Sequence, residues 1–446
     1  MSLPQATRRD FLKTSTLAAA ATALPVAAGS TQPVHADDNR KLRTAHIGVG
    51  NMGMSDLKSI MSHPQVSVVA LCDIDSDFLA KAAELQPQAK LYNDFRKMFE
   101  EMADEIDAVV VSTPDHTHAP AAMSAMNLNK PVYCQKPLTH DVYEARQLRL
   151  AAEKKKLVTQ MGTQIHSHQV YRRAVAMIQS GAIGKVKHVY AWRAGAWGYD
   201  GGPFENTEAP PATVHWDQWI GTAEYRQYVP KVYHPFEWRR LVDFGTGTLG
   251  DMGVHIFDTP YCALELTAPK WVTVDCREPN GLGHPTQMIV NYEFPGTKYT
   301  TENLLWTWFD GQAAPPKSED IGLPAGVKLP GAGSLSVGTE GALLLPHYSE
   351  AILFPEEKFK DYKRPEIEGN NHYHQWVDAC LGKGETSTPF SYAGPLTEAL
   401  LLGIVASNFP GKKLFWDAEK LEVTNLPEAN KFLRRKYREG YEVTGL

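Results

Sequence analysis

The rhythm of apolar positions along this chain changes near Thr163. Before it, short apolar runs alternate with segments of helical periodicity. Arg43–Val49, Val66–Cys72, Ala108–Ser112, Val132–Gln135 and Leu157–Met161 read as buried strands. Asn51–Met61, Ser76–Leu85, Asp94–Met102, Ala119–Leu128 and Asp141–Lys155 read as the helices between them. Repeated βα units of this length give a parallel sheet covered on both faces. After Thr163, a helix over Gln169–Ser180 leads to a strand over Val186–Arg193, a long loop rich in Gly, Pro and Trp, and a short helix over Gly250–Leu264. Alternating runs follow at Trp271–Cys276, Gln287–Phe294, Tyr299–Trp306, Leu335–Gly338 and Ala342–Leu345, and predict a mostly antiparallel sheet. Two helices, Asn371–Leu381 and Pro395–Ser407, and an extended tail close the chain. The stretch Gly311–Gly333 is too long for a routine connection and reads as an insertion or surface flap.

The first residues do not belong to this pattern. Thr7-Arg8-Arg9-Asp10-Phe11-Leu12-Lys13 precedes a small-residue apolar run from Leu17 to Ala28, and Val34-His35-Ala36 supplies small residues for a cleavage site. This is the form of a twin-arginine export signal, so residues 1–36 are set aside from the fold. The apolar run is too short and alanine-rich for a membrane span. That route carries folded proteins, typically with a cofactor already in place, to the periplasm or otherwise out of the cytoplasm. About 410 residues remain, enough for two or three domains. The net charge of −6 points to neither nucleic acid nor an anionic membrane as partner. The five cysteines are scattered, with no C-x-x-C spacing, so neither a disulfide framework nor a metal site is expected.

The densest chemistry lies between Arg43 and Asp73. Gly48, Gly50 and Gly53 form a G-x-G-x-x-G turn between a strand and a helix, with Asn51 and Met52 inside it. The first glycine permits the tight turn, the second lets backbone approach a pyrophosphate, and the third lets helix and strand pack closely. The helix start offers free N–H groups to phosphates. Asp73, 20 residues beyond Gly53 at the end of the next strand, is placed to accept hydrogen bonds from a ribose 2′-OH. The same carboxylate would repel a 2′-phosphate, and Ile74, Asp75, Ser76 and Asp77 offer no arginine to receive one. The expected cofactor is therefore NAD in preference to NADP. Long loops such as Gly311–Gly333 are candidates to close over it.

Two further motifs follow the strands of the first domain: Thr113-Pro114-Asp115-His116-Thr117-His118 and Cys134-Gln135-Lys136-Pro137. Ligands of open α/β sheets bind at that edge. Pro137 biases Lys136 toward an extended conformation, from which its amine could hydrogen-bond a reacting hydroxyl. His116 and His118 could instead be metal ligands on one side of a strand, but no third ligand stands nearby. In the second domain, Asp251, His255 and Asp258 share one face if the segment is one helix. An aspartate one turn from a histidine can orient its ring and stabilise the imidazolium, making the histidine a general base. The alternative is a helix start with Asp251 near its positive end and a core histidine.

Taken together, these motifs resemble the glucose–fructose oxidoreductase/inositol dehydrogenase (Gfo/Idh/MocA) family over essentially residues 41–446. The resemblance rests on Gly48-x-Gly50-x-x-Gly53, Asp73, Thr113-Pro114 with His118, Lys136-Pro137, and Gly250-Asp251-x-Gly253-x-His255-x-x-Asp258 in the family's order. It implies an α/β fold: an N-terminal Rossmann domain over 41–162, followed by an α+β domain over 163–446 with a large, mostly antiparallel open sheet. It implies a nicotinamide cofactor held by the glycine turn, Asp73, Thr113, Pro114, His118, Gln135 and Lys136. Hydride transfer would occur at a sugar or cyclitol carbon, with Lys136 orienting the hydroxyl, Asp251 orienting His255, and His255 taking the proton. One departure stands out. The family has Glu-Lys-Pro where this chain has Gln135-Lys136-Pro137, so a negative charge beside the lysine is missing.

The loop from His188 to Tyr233 adds substrate-type chemistry: Trp192, Trp197, Tyr199, Trp216 and Trp219 among Arg193, Asp200, Glu205 and Asp217. Aromatic faces stack on the C–H faces of sugars, or equally hold a long loop to its core. Arg193, Trp197, Tyr199 and Asp258 are the substrate-binding candidates. Three readings follow: an exported sugar oxidoreductase; a lyase or glycosidase that oxidises a carbon transiently and returns the hydride; and a binding protein on a retired scaffold. Lys136, Asp251 and His255 weigh against the third. A carbohydrate is the expected substrate, and a homodimer or homotetramer the expected assembly.

Overall fold

The computed structural model describes residues 41–446, so the twin-arginine motif lies outside the described residues. Six strands, β1 (Leu42–Ile47), β2 (Val66–Cys72), β3 (Lys90–Tyr92), β4 (Ala108–Val111), β5 (Val132–Cys134) and β6 (Thr159–Met161), form the first sheet in the order β3-β2-β1-β4-β5-β6. Every neighbouring pair is parallel. The strand order reverses between β1 and β4, which opens a crevice at their carboxyl ends. Local signals fix several of the covering helices. Asp75 caps helix Ser76–Leu85, its carboxylate accepting from the Asp77 N–H, and Asp141 and Glu144 form a capping box on helix Val142–Lys155. The predicted helix over Ala119–Leu128 begins earlier, at Asp115. His116 and His118 therefore lie in its first turn and not on a strand.

A second sheet of nine strands follows: β7 (Val186–Ala194), β8 (Trp271–Asp275), β9 (Ile289–Pro295), β10 (Thr300–Gly311), β11 (Ala332–Gly338), β12 (Ala342–Pro346), β13 (Ile352–Phe354), β14 (Leu414–Asp417) and β15 (Glu422–Val423). Their order is β13-β12-β11-β7-β10-β9-β8-β14-β15, antiparallel throughout except for β7 beside β10. Helices Gln169–Gln179, Gly253–Ala263 and Phe390–Ala406 contribute Phe257, Leu400 and their neighbours to one continuous core with Trp306, Trp308 and Phe294 of the sheet. The stretch 311–333 covers part of the sheet instead of the crevice. Its Ile321 and Leu323 pack with Trp192, Leu335 and Leu344, and the Trp192 indole donates to the Pro330 carbonyl at 2.7 Å. Burial of these apolar side chains is what holds the flap there.

The two sheets are joined by helices that cross between them. Helix His372–Cys380 brings Trp376 and Val377 back to the first sheet, into a core with Leu57, Ile60 and Tyr133. Helix Phe390–Ala406 lies against Val142–Lys155, and a buried fork pairs them: Arg146 donates to both Glu398 oxygens at 2.8 and 2.6 Å and to the Ala418 carbonyl at 2.9 Å. Removing one member of such a pair leaves the other charge buried and alone. Arg146→Met is expected to lower unfolding free energy by about 3 kcal/mol in a urea titration. A loss within experimental error would show that water reaches Glu398.

Candidate active site

The glycine turn forms a cradle at the mouth of the crevice. Gly48 has φ +82°, and a Cβ there would stand 2.6 Å from the Ser112 carbonyl oxygen, so no other residue fits without moving backbone. A Cβ on Gly53 would run into the Gly48 carbonyl. Asp73 crosses the mouth from the end of β2, its carboxylate accepting from the backbone N–H groups of Val49 at 2.7 Å and Gly50 at 3.2 Å. Burial raises this carboxyl above its ordinary range, against the hydrogen bonds that favour its charged form. Gly48, Gly50, Asn51, Met52, Asp73, Thr113, Pro114, His118, Gln135 and Lys136 all line this one crevice. The side chain-free approach at Gly48 and the acid opposite it fit a dinucleotide.

The crevice floor carries the reactive groups. The Lys136 amine donates to a carboxylate oxygen of Asp251 at 2.9 Å and to the Asp251 carbonyl at 3.2 Å. Arg239 reaches the same carboxylate oxygen at 3.2 Å. Asp251 ends a short helix, Gly247–Asp251, and Met252 separates it from helix Gly253–Ala263. This break corrects the single helix expected over Gly250–Leu264. With the spacing interrupted, Asp251 turns to the lysine and arginine, and no hydrogen bond joins it to His255. The imidazole of His255 is 8% exposed and its Nδ1 has no partner. Burial, and then the charges of Lys136 and His347, hold its pKa well below 6.5, so the ring is neutral. The expectation that Asp251 orients His255 and stabilises its imidazolium is therefore overturned.

Asp258 is buried away from the crevice. It pairs with His166 Nδ1 at 2.9 Å and accepts from the Tyr392 hydroxyl at 2.7 Å. Burial works against protonation of His166, but the charge and hydrogen bond of Asp258 outweigh it and raise the pKa above 6.5. The two histidines once considered as metal ligands are tied to carbonyls: His116 to Trp219, and His118 to Thr113 and Pro137, all at 2.8–2.9 Å. Among the described residues, no group of three ligating side chains converges.

The aromatic loop divides into two kinds of residue. Trp216 and Trp219 stack at 4.8 Å in a cluster with Tyr233 and Phe244, and Trp192 lies under the flap, so these hold structure. Asp200 is paired with Arg277 and Asp217 with Arg438. Tyr199 bonds to the Gly202 carbonyl and Arg193 to the Ala194 carbonyl, neither in the crevice. Trp197 instead packs edge-on to Phe236, whose ring lies 4.2 Å from the Arg239 guanidinium and is 44% exposed.

Several residues of the site have no local signature. Arg239 reaches it from a segment read only as loop, with Phe236 packed on its guanidinium. His347 is brought beside His255, with ring centroids 6.0 Å apart, and accepts or donates at Tyr171 at 2.8 Å. Tyr441 lines the crevice from the far end of the chain, sandwiched between Arg96 and Arg438 with each guanidinium 4.3 Å from its ring. Asp56, also unmarked in the sequence, is an acid buried on the helix that starts in the glycine turn, among Gly53, Leu57 and Ile60.

Comparison with known proteins places the chain. Residues 42–163 match an oxidoreductase family with an NAD-binding Rossmann fold, residues 177–295 match the C-terminal alpha/beta domain of an oxidoreductase family, and residues 5–25 match a twin-arginine translocation signal. A glycosyl hydrolase family 109 protein of Stenotrophomonas maltophilia is 30% identical over 203 residues, 41% of each chain. Inositol 2-dehydrogenase of Salmonella typhimurium is 29% identical over 147 residues, 32% of this chain and 43% of that one. The chain thus spans less than half the length of these curated relatives. The WlbA dehydrogenase from Bordetella pertussis, solved with NADH and UDP-GlcNAcA, superposes with a TM-score of 0.60 at 14% identity, covering 85% of this chain and 99% of that one. That likeness is one of fold.

The His166–Asp258 pair gives a direct test of the geometry. A raised histidine pKa contributes stability that is present below about pH 6.5 and lost as pH rises through the folded value. In Asp258→Asn only the opposing effects of burial and of the Arg172 charge remain, so the His166 resonance in an NMR titration should move from above 6.5 to below it. An unmoved midpoint would separate the two residues.

Proposed function

The chain belongs to the Gfo/Idh/MocA family of oxidoreductases and carries a signal for export by the twin-arginine route, and from that premise we propose that it transfers a hydride at a hydroxyl-bearing carbon of a sugar or sugar derivative. The observation that supports this most is the contact of Lys136 with Asp251 in the lining of a glycine-cradled crevice, with the neutral His255 near enough to feel the lysine's charge. Residues 41–162 serve as the dinucleotide half and residues 163–446 as the substrate half. When bound, the nicotinamide supplies the carbon that accepts the hydride. Lys136, held in place by Asp251, donates a hydrogen bond to the reacting hydroxyl and stabilises negative charge on its oxygen. His255, kept neutral by its surroundings, takes the hydroxyl proton. Phe236 and Trp197 give the apolar face of a sugar a surface on which to stack.

NAD is the preferred cofactor. Asp73 opposes a 2′-phosphate, and the one arginine that the first sheet's helices bring to that end, Arg96, is already forked onto Asp94 at 2.6–3.1 Å. A second reading, redox-neutral cleavage of a glycoside, is favoured by export away from cytoplasmic dinucleotide and by the family 109 name of a 30%-identical relative. In that cycle the substrate carbon is oxidised, the glycosidic bond breaks, and the same hydride returns. A panel of glycosides scored for both cofactor reduction and bond cleavage separates the two readings.

Native protein, gel-filtered and then denatured, should release NAD or NADH in near-stoichiometric amount; recovery of mainly NADP would overturn the assignment at Asp73. Lys136→Met and His255→Ala should each slow hydride transfer by ~10²–10⁴-fold while leaving the released dinucleotide unchanged. Single-turnover rates within a few-fold of wild type would place the acid–base chemistry elsewhere.

A further inference from the structure

The charge missing at position 135 is present elsewhere in the structure. Asp56, fully buried beneath the crevice floor, accepts from the Gln135 amide nitrogen at both carboxylate oxygens, at 3.0 and 2.9 Å. Its remaining contacts are the Ser112 hydroxyl at 2.7 Å and the Tyr373 hydroxyl at 3.1 Å. All three donors are neutral, and none of them offsets its charge. The other end of the Gln135 amide accepts the backbone N–H of Lys136 at 3.2 Å. A carboxylate can only accept, so the amide NH₂ must face Asp56 and its oxygen must face the lysine. Gly162 leaves the room for this arrangement, since a Cβ there would stand 2.7 Å from the Gln135 amide carbon.

We propose that Asp56 is a positioning residue for Lys136: it restores behind Gln135 the negative charge that the family's glutamate carries beside the lysine, and it fixes the amide that holds the lysine backbone. Burial pushes the Asp56 carboxyl up, against the hydrogen bonds from Ser112, Gln135 and Tyr373 and the charge of Lys136, to a net value of about 6, so it is mostly ionised at pH 8. The lysine then lies between two carboxylates, Asp251 in direct contact and Asp56 through one side chain. Arg239 shares Asp251, and His255, His118 and Asp115 complete the charged and titratable groups around it. The inference rests on the proposed role of Lys136, but it can be tested without any substrate.

The measurement is the rate at which the Lys136 amine is acylated at pH 8 in the purified full chain, read by peptide mass spectrometry with exposed Lys187 as internal reference. Only the free amine reacts. Asp56→Asn removes the negative charge behind Gln135 and loosens the amide that holds the lysine backbone, and should speed labelling of Lys136 by about 3- to 10-fold relative to Lys187. In Asp56→Asn/Gln135→Glu the charge returns one side chain closer, and the rate should fall back to wild type or below. A merely structural role for Asp56 would not be rescued by moving its charge to position 135. An unchanged rate in Asp56→Asn, or a double variant that labels as fast as the single one, overturns the proposal. If the single variant does not fold, the double variant decides alone: the wild-type ratio supports the proposal, and an accelerated ratio or failure to fold overturns it. Absence of hydride transfer in the wild-type protein would refute the proposed function and leave the labelling result standing.

Discussion

Asp251 is an ion buried at the break between two helices, and it is tolerable there only because Lys136 and Arg239 converge on one of its oxygens at 2.9 and 3.2 Å. The two cations arrive from different halves of the chain. Lys136 follows β5 of the first sheet, and Arg239 comes from the aromatic loop that leaves β7 of the second. Satisfying one carboxylate therefore fixes how the edge of the parallel sheet, the broken helix and the loop meet. The glycine cradle and this junction line the same crevice.

The first sheet was legible because its information is local. Parallel strands buried on both faces read as apolar runs, the glycine turn has one steric solution, and Val66–Cys72 and Ser76–Leu85 have the same bounds in sequence and structure. The second half was legible in its alternation but not in its site. The spacing of Asp251 and His255 suggested one helical face, yet spacing carries that meaning only while the helix is continuous, and the buried pull of Lys136 and Arg239 outweighs it. Trp216 and Trp219 had the composition of a sugar platform, but they found each other first, stacked in a small core that holds the loop. Phe236, with no mark in the sequence, is the aromatic left exposed beside Arg239. The Gln135 departure was visible at once. Its compensation was not, because Asp56 lies 79 residues earlier and becomes a neighbour only when the strands assemble.

The end of the chain bears on how an exported protein could hold its dinucleotide. Arg438 donates to an Asp217 carboxylate oxygen at 2.6 Å and to the Gly221 carbonyl at 3.0 Å, and the Tyr441 hydroxyl reaches the other Asp217 oxygen at 2.6 Å. Arg96 ties the same segment to the first sheet through the Gly440 carbonyl at 3.0 Å. The tail thus bridges the first-sheet helix that carries Arg96 to the aromatic loop, across one mouth of the crevice. Each of these contacts is partly exposed and individually worth little, of order 1 kcal/mol or less. Their geometry gives them weight, because Arg96, Arg438 and Tyr441 hold one another, each guanidinium lying 4.3 Å from the Tyr441 ring. Contacts that must break in concert add in the barrier even when each is weak alone. The flap at 311–333, although longer, covers the second sheet, so it is the segment around Tyr441 and the loop it grips that line this mouth.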